Sequence, residues 1–292
     1  LAGRAAAAQE GPPPPGPVTP VAFPEVHERA LANGAQLLVV ENHEQPVVTV
    51  SLRIRSGRAF DPPGKAGVAE FTAALLNKGT ATRDAATIAE TMDFIGASLG
   101  AEVTQDWTDV TVTTLTEFLD TALVVLADIV QNPTFPENEL ETERARTLTA
   151  LRVELSQPAA VAERRFLEAV YGEHPYGRRP TPETVQAIAR DDLVRFHATH
   201  YRAGNALFVV AGDVHPDDVA RRLDAHFRGW ARGTPPALRP PAPPQRTARE
   251  IRLYHKPGAV QAVVRAGHLA PPATHPDWIA LDVALQVLGG GS

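Results

Sequence analysis

Two histidines one helical turn apart, with a glutamate beside one of them, hold zinc and activate its bound water. Neither arrangement of that pattern, H-x-x-E-H or H-E-x-x-H, occurs in the 292 residues. The nearest approach is His197-Ala198-Thr199-His200, two imidazoles at i and i+3 on a predicted helix. That pair has no obvious carboxylate partner and reads as structural. The other histidines are scattered singly and read as surface or packing residues. Cysteine is absent, which removes disulfides, thiolate metal sites and a cysteine nucleophile. Neither a Gly-Lys-Ser/Thr phosphate loop nor a Gly-x-Ser-x-Gly elbow is present. No chemistry can therefore be assigned from spacing alone.

The elements that would position a site are easier to read. Hydrophobic residues make up 43% and charged residues 21%, enough apolar surface for a real core. The formal net charge of −6 comes with no basic stripe, which argues against a nucleic-acid partner. No stretch reaches the roughly 18–20 apolar residues of a membrane span, and the best run, 121–130, is broken by Asp128. Ala6-Ala7-Ala8 before Gln9 resembles the small-residue end of a secretory signal and predicts a periplasmic or secreted protein. An Ala-rich tail fits the same residues and leaves the cytoplasm open.

Pro12 to Pro15, Pro17 and Pro20 make residues 1–23 a disordered Pro/Ala-rich leader. A second Pro-rich stretch, 233–247, reads as a linker between 24–232 and 248–292. Strands are predicted at 35–40 and 47–55, and the second alternates Val48, Val50, Leu52 and Ile54 with polar neighbours. Helices follow at 66–78, stopped by Gly79, and at 85–95, ended by Gly96. Residues 98–104 and 109–115 read as a strand pair, and 117–130, 137–155 and 159–170 as helices. A buried strand at 206–211 and a helix at 216–227 complete the first unit. Beyond the linker, strands at 249–254 and 261–265 and a helix at 278–288 repeat the opening order. A second unit that stops there reads as incomplete. The pattern predicts an α+β fold, helices packed on a largely antiparallel mixed sheet, in two related domains with the second truncated.

Several short motifs stand in a fixed order. They are Leu31-Ala32-Asn33-Gly34, Pro46-Val47, Ser56-Gly57, Pro63-Gly64, Gly67-Val68-Ala69 and Lys78-Gly79-Thr80. His174-Pro175-Tyr176-Gly177, the run from Phe196 to Tyr201 with Asn205, Val209-Val210-Ala211-Gly212-Asp213 and Leu288-Gly289-Gly290-Gly291-Ser292 follow. In this order they resemble the pitrilysin/insulinase-type zinc metallopeptidases, the inverzincins, over residues 24–292. Each motif is weak by itself; their common register carries the resemblance.

The resemblance implies where zinc should sit. Active members carry H-x-x-E-H on the helix after Gly-x-Ala, and a further glutamate ligand on a later helix. The corresponding positions here are Glu70, Ala73 and Ala74, and 76 residues beyond Ala74 lies Ala150. Both histidines, the base and the distal ligand are gone. The chain thus resembles the family's zinc-less, non-catalytic subunits, with no cofactor of its own and zinc expected only in a partner. By the same resemblance, substrate peptide would lie along the edge strand carrying Ser98, Leu99, Gly100, Ala101 and Glu102. Gly289, Gly290 and Gly291 resemble a glycine-rich loop near substrate, although glycines also end a helix.

The implied function is an inactive subunit that binds peptide, completes the chamber of a zinc-bearing heterodimer partner, or both. A scaffolding subunit without a peptide role is the alternative, and a hydrolase with an unrecognised site has least support.

Overall fold

The computed structural model describes residues 23–258 and 260–290. Its centre is one six-stranded sheet: β1 (Val26–Ala30), β2 (Gln36–Glu41), β3 (Val47–Ile54), β4 (Ser98–Val103), β5 (Thr108–Leu115) and β6 (Ala206–Gly212). The strand order is β1-β2-β6-β3-β5-β4, antiparallel throughout except for the parallel pair β2–β6. The expected α+β fold with a largely antiparallel mixed sheet is present.

The period-2 pattern of β3 sorts its side chains as an alternating strand must. Val48, Val50, Leu52 and Ile54 are buried on the helix-covered face. Thr49, Ser51 and Arg53 pair across to Thr113, Thr111 and Asp109 at 3.0, 3.1 and 2.7 Å, forming a polar ladder on the other face. One sheet face is therefore core, and the opposite one is polar and open.

The helices are α1 (Val68–Leu75), α2 (Ala85–Phe94), α3 (Leu119–Gln131), α4 (Glu137–Ser156) and α5 (Pro158–Tyr171). They continue with α6 (Pro182–Ala187), α7 (Arg190–His200), α8 (Pro216–His226) and α9 (Trp278–Leu285). In α3, Leu123, Leu126, Ile129 and Val130 are buried, and the helix packs on β5 and α8. The long helix α4 buries only Leu140 and Leu151, so its charged flank stays beside α1 as the wall of a cleft.

The end of α1 is pinned by a buried carboxylate. Asp128 accepts from Thr80 Oγ1 at 2.7 Å, Thr82 Oγ1 at 3.0 Å and Asn132 Nδ2 at 3.0 Å, and pairs with Arg83. Burial pushes its pKa up, but these hydrogen bonds prevail and hold it below the usual carboxylate value. Gly79 has φ +154°, and a Cβ there would meet Pro136 Cγ at 3.0 Å and Thr134 Oγ1 at 3.1 Å. The predicted Gly79 stop is thus a steric requirement.

Two expectations need correction, and one strand was not foreseen. The predicted strands at 249–254 and 261–265 do not form: no ladder reaches them, and Ile251, Leu253, Val260 and Val264 are exposed. A strand needs a neighbour to satisfy its N–H and C=O groups, and no partner strand exists for these segments among the described residues. They run instead beside α5, where Arg265 Nε meets Glu163 Oε2 at 2.8 Å. The last helix ends at Leu285 and passes into a π turn over 286–290, short of the predicted 278–288. Finally, β1 was not anticipated, because Val26-His27-Glu28-Arg29-Ala30 is an exposed edge strand without apolar alternation. The leader 1–23, apart from Phe23, lies outside the described residues.

Replacing Asp128 with alanine orphans several buried donors and is expected to cost about 2–4 kcal/mol of stability. Urea unfolding measures it; a loss below about 1 kcal/mol would show that the cluster does not hold the α1–α2 turn.

Candidate functional site

Helix α1 enters the fold over a buried cap. Asp61 accepts the Gly67 N–H through Oδ2 at 2.8 Å and the Ala69 N–H through Oδ1 at 2.7 Å, satisfying donors that the first turn leaves free. Burial pushes the Asp61 carboxyl up to about 7, while the two backbone N–H donors pull it back. Beside the cap, Lys65 Nζ reaches Asp192 Oδ2 at 2.8 Å and so ties the loop before α1 to α7.

Between α1, β4 and α4 opens a cleft of about 370 Å³. Ala73, Ala74 and Lys78 form one wall, Leu99, Gly100 and Ala101 the floor, and Glu139, Thr142, Glu143 and Arg146 the other wall. Among the described residues strand β4 pairs only with β5, so its outer edge is free of strand partners there. Ser98, Leu99, Gly100, Ala101 and Glu102 all lie on it, and a Cβ added at Gly100 would meet nothing within 4 Å.

The residues present do not fit zinc. Ala73 and Ala74 offer methyl groups only. Glu70 is engaged by Arg58, whose Nε donates to its Oε1 at 2.6 Å. Across the cleft, Glu143 Oε2 pairs with Arg146 Nε at 3.0 Å. Ala150 is exposed and stands outside the cleft lining. A zinc site needs three or four N, O or S ligands converging on one point, so no metal-dependent step is assigned to this cleft.

The other sequence-derived sites fall elsewhere. Gly289 is exposed in the turn after α9 and does not line the cleft, Gly290 ends that turn, and Gly291 lies outside the described residues. His197 and His200 sit at the end of α7, and among the described residues neither pairs with a carboxylate. His197 Nε2 contacts the Val130 carbonyl at 2.8 Å and its ring stacks on Tyr201. His200 lies against Phe60 and Phe196. Burial pushes both imidazoles down, His200 to about 4, as expected of neutral packing residues.

One expectation about histidine is overturned. His43 and His215 are not isolated: they converge with Glu41 at the far end of β2 and β6. The signal was in the sequence as two short acid-x-His pairs, Glu41-Asn42-His43 and Asp213-Val214-His215. They begin at Glu41 and Asp213, far apart in the sequence, and the parallel β2–β6 pairing brings them together.

Comparison with known proteins adds to this geometry. The family described as Insulinase (Peptidase family M16) matches residues 36–181, and the Peptidase M16 inactive domain matches residues 187–292. The mitochondrial-processing peptidase subunit beta of Bos taurus is 31% identical over 279 residues, covering 91% of this chain and 54% of that protein. Subunit 1 of the mitochondrial cytochrome b-c1 complex of Bos taurus is 26% identical over 268 residues, covering 91% and 56%. Among solved structures, a peptidase M16 inactive domain from Pseudomonas fluorescens superposes with a TM-score of 0.70 at 27% identity, covering 75% of this chain and 54% of that one. The chain spans about half the length of the curated relatives it matches.

Neutral burial of His200 has a pH consequence. Its folded pKa, about 4, lies below the unfolded 6.5, so its stabilising share is complete above 6.5 and is lost as pH falls toward 4. Asp61, raised to about 7 from 3.8, acts oppositely: it gains stability as pH falls through that window. The informative quantity is therefore a difference between variants. His200→Leu is expected to lose less stability than the wild type on acidification from neutral pH to about 5. Equal slopes in urea titrations at the two pH values would contradict a buried neutral imidazole.

Proposed function

Because this chain belongs to the insulinase family of peptidases, family M16, we propose that it is a non-catalytic subunit that binds peptide and completes the chamber of a zinc-bearing family partner. The observation that carries this reading is the contrast within one cleft. By the family's pattern Glu70 and Ala74 stand at the two histidine positions and Ala73 at that of the base; Glu70 is held by Arg58, yet the cleft and, among the described residues, the outer edge of β4 remain open. An extended peptide can add to such an edge as a further strand, drawing affinity from main-chain hydrogen bonds. The polar ladder of Thr49, Ser51 and Arg53 suits a sheet face turned toward a water-filled chamber.

The partner role draws support from a relative that is itself a subunit, that of the mitochondrial-processing peptidase. The likeness to cytochrome b-c1 complex subunit 1 favours the second reading, a scaffolding subunit with no peptide role. Both readings place the protein in an assembly and differ in whether the cleft is used. A periplasmic or secreted location belongs to the proposal as well and rests on Ala6-Ala7-Ala8. Among the described residues, no helix is long and apolar enough to cross a membrane.

Mixing experiments separate the readings. The chain alone is expected to cleave no peptide. Combined at micromolar concentration with a zinc-bearing family member of the same source, it should form a complex and raise peptidase activity. Substituting Ala101→Pro, which removes an N–H from the outer edge and leaves the Gly100–Thr111 pairing of the β4–β5 ladder intact, should reduce that gain while the complex persists. Complex formation with no gain in activity would favour the scaffold. Cleavage by the chain alone would overturn the proposal.

A further inference from the structure

At the end of the sheet opposite to β4, the strand ends bring metal-ligating side chains together. Glu41 closes β2, and His43 follows two residues later. His215 lies just past β6, two residues beyond Asp213. The contacts centre on one carboxylate oxygen: Glu41 Oε2 stands 3.1 Å from His43 Nε2 and 3.1 Å from His215 Nδ1. A third imidazole approaches from β1, with His27 Nε2 at 3.4 Å from Glu41 Oε1. Behind His43, Asp213 Oδ1 meets the other ring nitrogen, Nδ1, at 2.7 Å, and Thr116 Oγ1 donates to Asp213 Oδ2 at 3.1 Å.

We propose that Glu41, His43 and His215 bind a divalent transition-metal ion of the zinc type, with His27 in reach as a fourth ligand and Asp213 as the positioning residue behind His43. Bonds of about 2.0–2.1 Å in a tetrahedral zinc site set neighbouring ligand atoms about 3.3 Å apart. The two contacts to Glu41 Oε2 already stand near that separation, and the three ligand atoms lie within 4.8 Å of one another. Little movement is needed to admit an ion. The Asp213–His43 contact is the carboxylate–histidine arrangement that metal sites use to fix the tautomer, directing Nε2 toward the metal. Imidazole and carboxylate together suit zinc or its neighbours rather than magnesium or calcium.

The backbone holds these ligands in place. Asn42 N–H donates to the Gly212 carbonyl at 2.8 Å, and Asp213 N–H donates to the Val47 carbonyl at 3.0 Å. Gly212 makes the approach possible: its φ is +133°, and a Cβ there would lie 2.1 Å from the Val47 oxygen. The site is separate from the cleft. From β2 to β4 there are four strand spacings, on the order of 20 Å. An ion here would clamp the start of β1, the end of β2 and the entry to α8, and it would sit in contact with solvent, since His215 is 77% exposed. That exposure predicts an exchangeable site of micromolar affinity rather than a closed structural one.

The test uses Zn2+ alone as probe on the chelator-stripped 292-residue chain, with affinity read by competition against a chromophoric chelator near neutral pH. The wild type should bind with micromolar affinity. His43→Ala and His215→Ala should each weaken binding about tenfold or more, Asp213→Asn should weaken it less, and His268→Ala should leave it unchanged. Because the ligands are on the surface, circular dichroism should show all variants folded; Glu41→Gln, which keeps shape and volume, gives an independent loss. Co2+ in place of Zn2+ should produce the visible absorption of a four-coordinate site in the wild type and not in the double variant His43→Ala/His215→Ala. No binding by the wild type, or equal binding by the wild type and the two histidine variants, would overturn the assignment. Peptidase activity takes no part in this readout, so the result stands apart from the proposed role of the cleft.

Discussion

The position of α1 is the constraint on which the rest of the site depends, because it is fixed at both ends by buried carboxylates. At the start, Asp61 holds the Gly67 and Ala69 N–H groups beneath the first turn. At the finish, Asp128 gathers Thr80, Thr82, Arg83 and Asn132, and Gly79 slips past Pro136 where no side chain would fit. A helix held in this way cannot slide or rotate to present different residues. Ala73 and Ala74 therefore face the cleft by necessity, and the chemistry of that cleft is decided by two methyl groups. The carboxylates that position α1 lie outside Glu70, Ala73, Ala74 and Ala150, so the proposed loss of zinc ligands leaves the scaffold untouched.

Under the proposed reading, the cleft serves contact rather than bond cleavage. Helix α4 buries few residues and keeps Glu139, Glu143 and Arg146 along the cleft, while β4 keeps one edge free. The Arg58–Glu70 pair occupies the place where a first ligand would stand. Both partners are about one-third exposed, so the pair contributes little to stability. Its consequence is chemical: the Glu70 Oε1 already taken by the Arg58 guanidinium is not free to act as a ligand.

The sequence was most legible where local pattern and tertiary environment agree. Val48, Val50, Leu52 and Ile54 alternate because β3 lies at the centre of the sheet, with a core on one side and a polar ladder on the other. The glycine stops at Gly79 and Gly96 were legible because each glycine adopts positive φ. Gly67-Val68-Ala69 and Lys78-Gly79-Thr80 were legible as the bounds of α1, which runs from Val68 to Leu75 between them, and the proposed loss of zinc ligands at Glu70, Ala73 and Ala74 rests on that register. Segments that depend on distant partners were not legible. Residues 249–254 and 261–265 carry strand-like composition without a neighbouring strand, and β1 forms on a polar sequence because β2 offers it an edge. The Glu41, His43 and His215 cluster was missed for a related reason, since proximity across the β2–β6 pair is not expressed in local spacing.

The account's central claim is that β4 is a working peptide edge beside a helix that has lost its metal. Hydrogen–deuterium exchange of the chain, with and without a saturating extended peptide, tests it most directly. The claim predicts slowed exchange concentrated in residues 98–103, the strand whose outer edge has no partner. Unchanged exchange in that strand, with the peptide shown to be bound, would contradict it and leave the cleft as a structural remnant.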